Sequence, residues 1–197
     1  PEESVWEASR LQYLIDDIMR LSEIEDGSNP GEWENVPLMD VAKETVETLS
    51  IEAQENGVAI SCGGEPLTVD ANRNMMEELM TNLLSNAVKY NRPGGTAHIN
   101  VEKRGEMAAI MVSDTGIGIP PEHQSRVFER FYRVDKSRSK QTGGTGLGLA
   151  IAKEIVEQHQ GTIGWKASWM QAPPSPSLCR TIRPILSRDW WTLRNPK

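Results

Sequence analysis

The feature that most constrains this chain is segment 72–90, which has the three- and four-residue spacing of a helix with two unlike faces. Asn82 and Asn86 share one face, and Lys89 and Tyr90 follow on the next turn. Amide oxygens can coordinate Mg²⁺ and an ammonium can meet phosphate, although a solvated helix face is the alternative interpretation. The other face can fill a core with Met76, Leu79, Met80, Leu83, Leu84 and Val88.

A second motif, Asp-Thr-Gly-Ile-Gly, begins at Asp114 and directly follows a predicted strand over 110–113. An aspartate at a strand end can accept a hydrogen bond from the exocyclic amine of adenine. Gly116 and Gly118 let the backbone turn closely beneath a base. An ordinary Asp-Gly turn is the alternative interpretation.

A third motif, the glycine-rich run 143–148, leads into a predicted helix over 149–160. Amide groups and the helix dipole at such a start suit a phosphate. The run lacks the Gly-Lys-Ser/Thr ending of a Walker A loop, and no acidic ribose partner follows it, so both a P-loop and a dinucleotide fold are disfavoured. A flexible hinge is the alternative.

The segment between the two glycine motifs combines aromatic anchors with cations. Phe128 and Phe131 are spaced to hold it by packing, and Arg133, Lys136 and Arg138 can reach a triphosphate when it closes. A surface helix with its aromatic side in the core is the alternative, and it is compatible with a lid.

The remaining patterns mix helices with antiparallel strands. They predict a helix that ends at 27–31, a strand at 36–38, an amphipathic helix over 40–54, a strand pair at 58–62 and 67–69 around a Gly-Gly turn, a hairpin of 97–103 with 107–113, and a strand beginning at 161–165. This mixture predicts an α+β fold, a two-layer α/β sandwich with an N-terminal helix, rather than a parallel-sheet fold.

Taken together, the motifs resemble those of sensor histidine kinases of two-component systems. Asn82–Tyr90 resembles their N box, Asp114–Gly118 the G1 box, Phe128–Phe131 the F box and Gly144–Gly148 the G2 box. Residues 7–27 are similar to the end of the second helix of the dimerisation and phosphoacceptor hairpin. The resemblance implies the Bergerat ATP-binding fold of the gyrase-related ATPases.

The resemblance also implies ATP and Mg²⁺ as cofactors, together with residue roles. Asn82 and Asn86 would hold the metal and the phosphates, Tyr90 would line the base pocket and Asp114 would read adenine. The implied catalytic residues are Asn82, Lys89 and Arg133. The implied nucleotide-binding set further contains Gly116, Gly118, Ile119, Phe131, Gly144, Thr145, Gly146, Leu147 and Gly148.

One difference separates this chain from the ATP-hydrolysing proteins that share the Bergerat fold. Those relatives carry a glutamate where this chain has Asn82, and that glutamate activates water. Glu78 lies one turn earlier. We interpret it as a surface residue, with a role as a base for the nucleophile as the alternative. The absence of the hydrolytic glutamate favours transfer to a protein histidine.

The chain carries His98, His123 and His159, and none stands in the His-Glu/Asp context of the acceptor. We therefore expect the acceptor histidine on a domain outside this fragment, which would form a homodimer in the full-length parent, with a response regulator as the next partner. The expected domains are 1–27 as the end of the hairpin, 28–164 as the catalytic domain and 165–197 as an atypical tail. The alternatives are a Bergerat-fold ATPase and a non-catalytic interaction module.

Charge and hydropathy limit the other partners. The net charge of −7 disfavours nucleic acid as a partner. No apolar run approaches the ~20 residues that span a bilayer. We therefore expect a cytoplasmic fragment without membrane contact, belonging to a parent anchored in the membrane.

The tail from Trp165 is unlike the Gly-Thr-Thr-Phe strand that ends the family, and its prolines oppose a regular ladder. We expect no strand pair there and poor order. With permitted codons, a coding sequence for residues 170–184 can encode Ala-Gly-Thr-Thr-Phe-Thr-Ile-Ala-Leu-Pro-Tyr when its reading frame is shifted by two nucleotides. This match to the family's ending indicates a frameshift near Gly164.

The frameshift hypothesis predicts an insertion or deletion in the coding DNA near the Gly164 codon. Sequencing the DNA across that codon measures this directly. An intact reading frame, shared with close relatives that have the same tail, contradicts the hypothesis.

Overall fold

The fold pairs helices with two sheets around one core, as a computed structural model shows for residues 2–27, 32–105, 107–134, 144–170, 177–182 and 185–187. The helices are α1 (Glu2–Asp26), α2 (Leu38–Thr48), α3 (Ser50–Glu55), α4 (Arg73–Lys89) and α5 (Gly148–Gln158), with a 3₁₀ turn at Pro121–His123. The strands are β1 (Trp33–Pro37), β2 (Ala59–Gly64), β3 (Thr68–Asn72), β4 (Thr96–Arg104), β5 (Met107–Asp114), β6 (Trp165–Met170), β7 (Ser177–Ile182) and β8 (Ile185–Ser187).

The larger sheet runs β2-β4-β5-β7-β6, with β8 beside β5, and β1 pairs with β3 in a separate two-stranded sheet. The predicted β4–β5 hairpin is confirmed, with Arg104 opposite Met107. The predicted pairing of β2 with β3 is wrong, because β2 pairs in parallel with β4. Gly63 and Gly64 lie inside β2 and form no turn, and a Cβ on Gly64 would clash with the Val101 backbone, so Gly64 permits the close approach of the two strands.

Helix α4 confirms the predicted two-faced helix over 72–90. Its start is capped by Asn72, whose Oδ1 accepts the Met75 N–H at 3.0 Å. The predicted apolar face is buried throughout, together with Ala87. This burial fixes the rotation of α4 about its axis and so determines the direction of the opposite, polar face.

The predicted helix over 40–54 is divided in two at Leu49, whose φ and ψ of −90° and 3° leave the helical region. The apolar stripe continues across the break, since Val41, Ala42, Leu49 and Ala53 are all buried. Periodicity alone therefore showed the buried side but not the interruption.

The expectation that the tail contains no strand pair is wrong. Residues 165–170 and 177–182 pair as antiparallel β6 and β7, and β7 continues the sheet beside β5. Pro173, Pro174 and Pro176 lie outside the described residues, between the two strands. The backbone ladder is thus compatible with prolines confined to the connection.

The first helix packs most closely through its C-terminal part. Leu21 and Ile24 of α1 are buried in the core, and Gln158 Nε2 donates to the Ile24 carbonyl at 3.2 Å. Further towards the N-terminus, α1 exposes large apolar side chains, namely Leu11, Tyr13, Ile15, Ile18 and Met19. Among the described residues, no helix has the length and apolar character needed to cross a bilayer.

His159 joins the start of α4 to the end of α5. Its Nδ1 lies 2.7 Å from the Ile155 carbonyl, which can only accept, so Nδ1 carries the proton and Nε2 accepts the Asn72 N–H at 3.2 Å. The ring is 3% exposed and lies against Trp33. Burial lowers the pKa of His159, while the Ile155 hydrogen bond and the Asp70 charge act in the opposite direction.

We predict that the free energy of unfolding decreases as the pH falls through about 6.5, the ordinary histidine pKa. The unfolded chain takes up a proton that the folded chain excludes, so this stability is present above that pH and is lost below it. Urea unfolding at a series of pH values measures the slope, which one histidine limits to about 1.4 kcal/mol per pH unit. His159→Gln should reduce the slope, and a slope equal to that of the parent contradicts the assignment to His159.

Candidate functional site

The polar face of α4 meets the glycine-rich loop at the start of α5. A Cβ placed on Gly148 would lie 3.1 Å from Asn82 Oδ1 and 3.8 Å from Asn86 Nδ2. Both asparagines are half-buried. The first and third sequence motifs are therefore adjacent in space, although 62 positions separate Asn86 from Gly148 in the chain.

The Asp-Gly motif packs against the C-terminal end of α4. The Asp114 side chain is 5% exposed, and its Oδ1 accepts the Gly116 N–H at 2.8 Å. The Tyr90 carbonyl accepts the Ile117 N–H at 3.0 Å, and a Cβ on Gly116 would lie only 2.3 Å from that carbonyl oxygen. Glycine at 116 is thus required for the close approach that holds Asp114 beside Tyr90.

Arg133, from the segment between the glycine motifs, contacts the start of the glycine-rich loop. Arg133 Nη1 donates to the Gly144 carbonyl. A Cβ on Gly144 would lie 3.9 Å from the Tyr90 hydroxyl, so the tyrosine reaches the same place. Residues 135–143, including Lys136, Arg138 and Gly143, lie outside the described residues.

Phe131 occupies the left-handed region with φ of 61°, which is uncommon for a bulky residue. Its backbone lies 3.0 Å from the position of a Cβ on Gly146, which itself has φ of 80°. The predicted anchoring by two phenylalanines is only half right: Phe128 is half-buried, whereas Phe131 is 56% exposed. Val127, directly before Phe128, is buried.

Four predicted site residues, Lys89, Ile119, Thr145 and Leu147, have their main contacts with other parts of the protein. Lys89 Nζ lies 3.8 Å from Glu52 on α3. Ile119 and Leu147 are buried, and the Ile119 carbonyl accepts from Gln124 Nε2 at 2.9 Å. Thr145 donates to Asp17 of α1 at 2.5 Å. Gly118 adopts φ of 73°, which favours glycine at this turn.

Asn91 is a structural residue of the site that sequence reasoning missed. Its Nδ2 donates to the Ala87 and Thr96 carbonyls, at 3.0 and 2.9 Å, which ties the end of α4 to the start of β4. The Asn-Arg-Pro-Gly turn at 91–94 could have indicated this, because asparagine side chains commonly hydrogen-bond backbone in turns.

Glu78 is not a solvated surface residue, contrary to our interpretation. Its Oε2 lies 2.7 Å from Arg20 Nε of α1, and its side chain is 23% exposed. Burial raises the pKa of the Glu78 carboxyl, while the hydrogen bond and charge of Arg20 lower it. The carboxylate one turn before Asn82 is therefore engaged by a cation from the first helix.

Comparison with known proteins identifies the family to which this arrangement is similar. Residues 71–176, just over half of the chain, match the family described as histidine kinase-, DNA gyrase B-, and HSP90-like ATPase. The sensor histidine kinase RppB of a Synechocystis species is 40% identical over 157 residues, covering 78% of this chain and 34% of RppB. The sensor-like histidine kinase SenX3 of Mycolicibacterium smegmatis is 36% identical over 163 residues, covering 82% of this chain and 42% of SenX3.

A solved structure supports the same grouping. The mycobacterial sensor histidine kinase MprB superposes with a TM-score of 0.66 at 26% identity, covering 80% of this chain and 99% of that one. The chain spans less than half the length of the curated relatives RppB and SenX3. The predicted α/β sandwich is confirmed by this likeness.

We predict that Gly116→Ala lowers the free energy of unfolding by about 1–3 kcal/mol, because the new Cβ overlaps backbone that cannot move aside. Gly164→Ala is the matched control, since a Cβ there meets nothing within 4 Å, and it should stay within about 0.5 kcal/mol of the parent. Denaturant unfolding of the three proteins measures the difference. Equal stability of Gly116→Ala and the parent would show that the turn is not constrained as described.

Proposed function

The chain belongs to the histidine kinase-, DNA gyrase B-, and HSP90-like ATPase family and carries the catalytic ATP-binding domain of a sensor histidine kinase; from this premise we propose that it transfers the γ-phosphate of ATP to a histidine on a separate acceptor domain. A response regulator would take the phosphoryl group next in two-component signalling. In this proposal residues 28–164 form the catalytic domain, and residues 1–27 belong to the helical hairpin.

The observation that carries the proposal is the convergence of three separate motifs around Tyr90. The amides of Asn82 and Asn86 border Gly148, and the Tyr90 hydroxyl approaches Gly144. The backbone of Gly116, whose N–H is bonded to Asp114, lies against the Tyr90 carbonyl. One end of this arrangement has a buried carboxylate suited to the adenine amine, and the other has amides and a helix start suited to phosphates. A single adenine nucleotide satisfies both ends.

The residues present also fit Mg²⁺. The two asparagine side chains offer hard oxygen donors of the kind that this cation accepts, and they border the loop proposed to hold the phosphates. When bound, Mg²⁺ would neutralise charge on the phosphates. Asn82 and Asn86 would hold it, and Thr145 and Gly146 would present the loop to the phosphates.

The protein's own part in the chemistry is positioning and charge stabilisation. Phosphoryl transfer passes through a loose transition state, so alignment and nearby donors matter more than covalent participation. Arg133, held at Gly144, places a guanidinium at the edge of the site. Phe131 and Ile119 would shape the pocket wall, and Lys89 would contact phosphate after leaving Glu52.

Hydrolysis is disfavoured because neither position 82 nor Glu78 offers a free carboxylate to activate water. Position 82 is an asparagine, which cannot act as a general base for water. Glu78 is the next acid on this helix, one turn earlier, and Arg20 engages it. A histidine nucleophile is already nucleophilic when neutral, so this arrangement favours transfer to imidazole over transfer to water.

The exposed apolar side chains of α1 support a place for the acceptor. Leu11, Ile15 and Ile18 need cover from another helix, and a hairpin that dimerises would provide it. We propose that the acceptor histidine lies on that hairpin, in a homodimeric parent protein. The parent would present this domain in the cytoplasm from a membrane anchor.

We predict that this chain, mixed with ATP, Mg²⁺ and a separately produced acceptor hairpin, forms acid-labile phosphate on the hairpin. Radiolabelled ATP and gel autoradiography before and after acid treatment measure the product. Asn86→Ala and Asp114→Ala should abolish the signal, because they remove a metal–phosphate contact and the adenine contact.

Calorimetry with AMPPNP, a non-hydrolysable ATP analogue, is the control for these variants. Loss of labelling should coincide with loss of binding while circular dichroism remains that of the parent. Steady phosphate release from ATP without any acceptor would support a hydrolytic ATPase instead. No binding at millimolar AMPPNP would support a non-catalytic interaction module.

A further inference from the structure

The docked face of α1 contains a charged residue where an apolar one is expected. Leu14, Asp17, Leu21 and Ile24 follow one another at three- and four-residue steps, so they share one face of the helix. Leu21 and Ile24 are buried, and Leu14 packs against the same core. Asp17 therefore lies in the middle of a docking stripe, facing the catalytic domain.

Asp17 contacts the glycine-rich loop directly. Its Oδ2 accepts the Thr145 hydroxyl proton at 2.5 Å, and the same hydroxyl oxygen accepts the Leu147 N–H at 3.3 Å. Helix α5 begins at the next residue, Gly148. A carboxylate is thus bound to the loop whose amides and helix dipole favour an anion.

Two further polar contacts hold α1 beside the site. Arg20 pairs with Glu78 on α4, and Glu25 pairs with Arg130, just before Phe131. These contacts involve opposite charges, whereas the partner of Asp17 is a neutral hydroxyl. Within the described ranges, no cation forms an ion pair with Asp17. Among the described residues, Asp17 therefore meets the loop through a hydrogen bond and not through an ion pair, and the neighbouring cation of the loop, Arg133, is bonded to the Gly144 carbonyl.

We propose that docking of α1 and binding of a nucleoside triphosphate oppose each other through the Asp17–Thr145 contact. The inference rests on the proposed function, in which residues 144–148 hold the phosphates. The Asp17 charge repels those phosphates, and both compete for the positive end of α5. Coupling between two binding events is reciprocal. A bound nucleotide therefore weakens the docking of α1 around Asp17 by the same free energy by which docked α1 weakens nucleotide binding.

Asp17→Asn separates charge from hydrogen bonding, because the amide oxygen can still accept from Thr145. Asp16→Asn is the matched control: it removes the same charge one position earlier, from an exposed side chain bonded to Gln12. Calorimetry with AMPPNP and Mg²⁺ should show about three- to tenfold tighter binding for Asp17→Asn, as expected for removing one like charge near a protein surface. The gain should shrink at high salt, and Asp16→Asn should bind within about twofold of the parent.

Hydrogen exchange measured by mass spectrometry gives the reciprocal readout. In the parent, AMPPNP should increase exchange over residues 11–20, and in Asp17→Asn this increase should be smaller. Residues 21–26 provide an internal reference, because Leu21 and Ile24 are anchored in the core.

The outcomes separate this inference from the function on which it rests. Parent-like or weaker AMPPNP binding by Asp17→Asn, in a chain that does bind AMPPNP, overturns the inference alone. An equal gain in Asp16→Asn also overturns it, because the effect would then be general charge and not the loop contact. Absence of AMPPNP binding in every variant overturns the proposed function and the inference with it.

Discussion

The burial of one face of α4 is the constraint on which the rest of the structure depends. Its apolar residues are almost completely enclosed by the core, from Met76 to Val88. A helix held in this way cannot rotate without exposing several large side chains, at a cost of about 1.5–3 kcal/mol for each one. The direction of Asn82 and Asn86 is therefore set by residues that never touch a ligand. The positions of the polar side chains are well defined because they lie on the face of α4 opposite the one that packs into the core.

The remaining parts of the site are brought to α4 by two different connections. The β4–β5 hairpin returns the chain so that Asp114, at the end of β5, lies beside the C-terminal end of α4. Helix α5 runs in the opposite direction to α4, since its start approaches Asn82 and its end, at His159, bonds to Asn72. Helices α4 and α5 are thus held together at both ends of α5, by the His159–Asn72 hydrogen bond at its end and by the packing of Gly148 against Asn82 at its start. His159 is distant from the proposed nucleotide site, but a change at this buried histidine would act on the same two helices that form the site.

Local periodicity was sufficient for the elements that carry the site, and insufficient for their partners. The helix over 72–90 and the hairpin of β4 with β5 were predictable, because each is specified by its own residues and a short turn. The parallel pairing of β2 with β4 was not, because the choice of partner depends on how α4 crosses between them. The break at Leu49 left the apolar stripe intact, so the pattern carried no sign of it.

The pairing of β6 with β7 was missed because the intervening prolines were taken to affect the strands themselves. Contacts of Asp17, Arg20 and Glu25 with distant residues have no local signal, apart from the unusual aspartate within an apolar stripe.

The first helix links the chemistry of the site to its surroundings. In the proposed function, selection between water and histidine as the phosphoryl acceptor depends on keeping a free carboxylate away from the γ-phosphate, and two features contribute. Asparagine occupies position 82, and the nearest acid on α4 is held by Arg20 from a different element. If α1 moved away, Glu78 would lose that cation while remaining one turn from Asn82. A half-buried carboxylate without its partner favours its protonated form, because desolvation penalises the charge. Loss of the Arg20 contact would remove the interaction that lowers the pKa of Glu78 and would leave a stronger base one turn from Asn82, so the docked first helix and the asparagine at position 82 act together against hydrolysis.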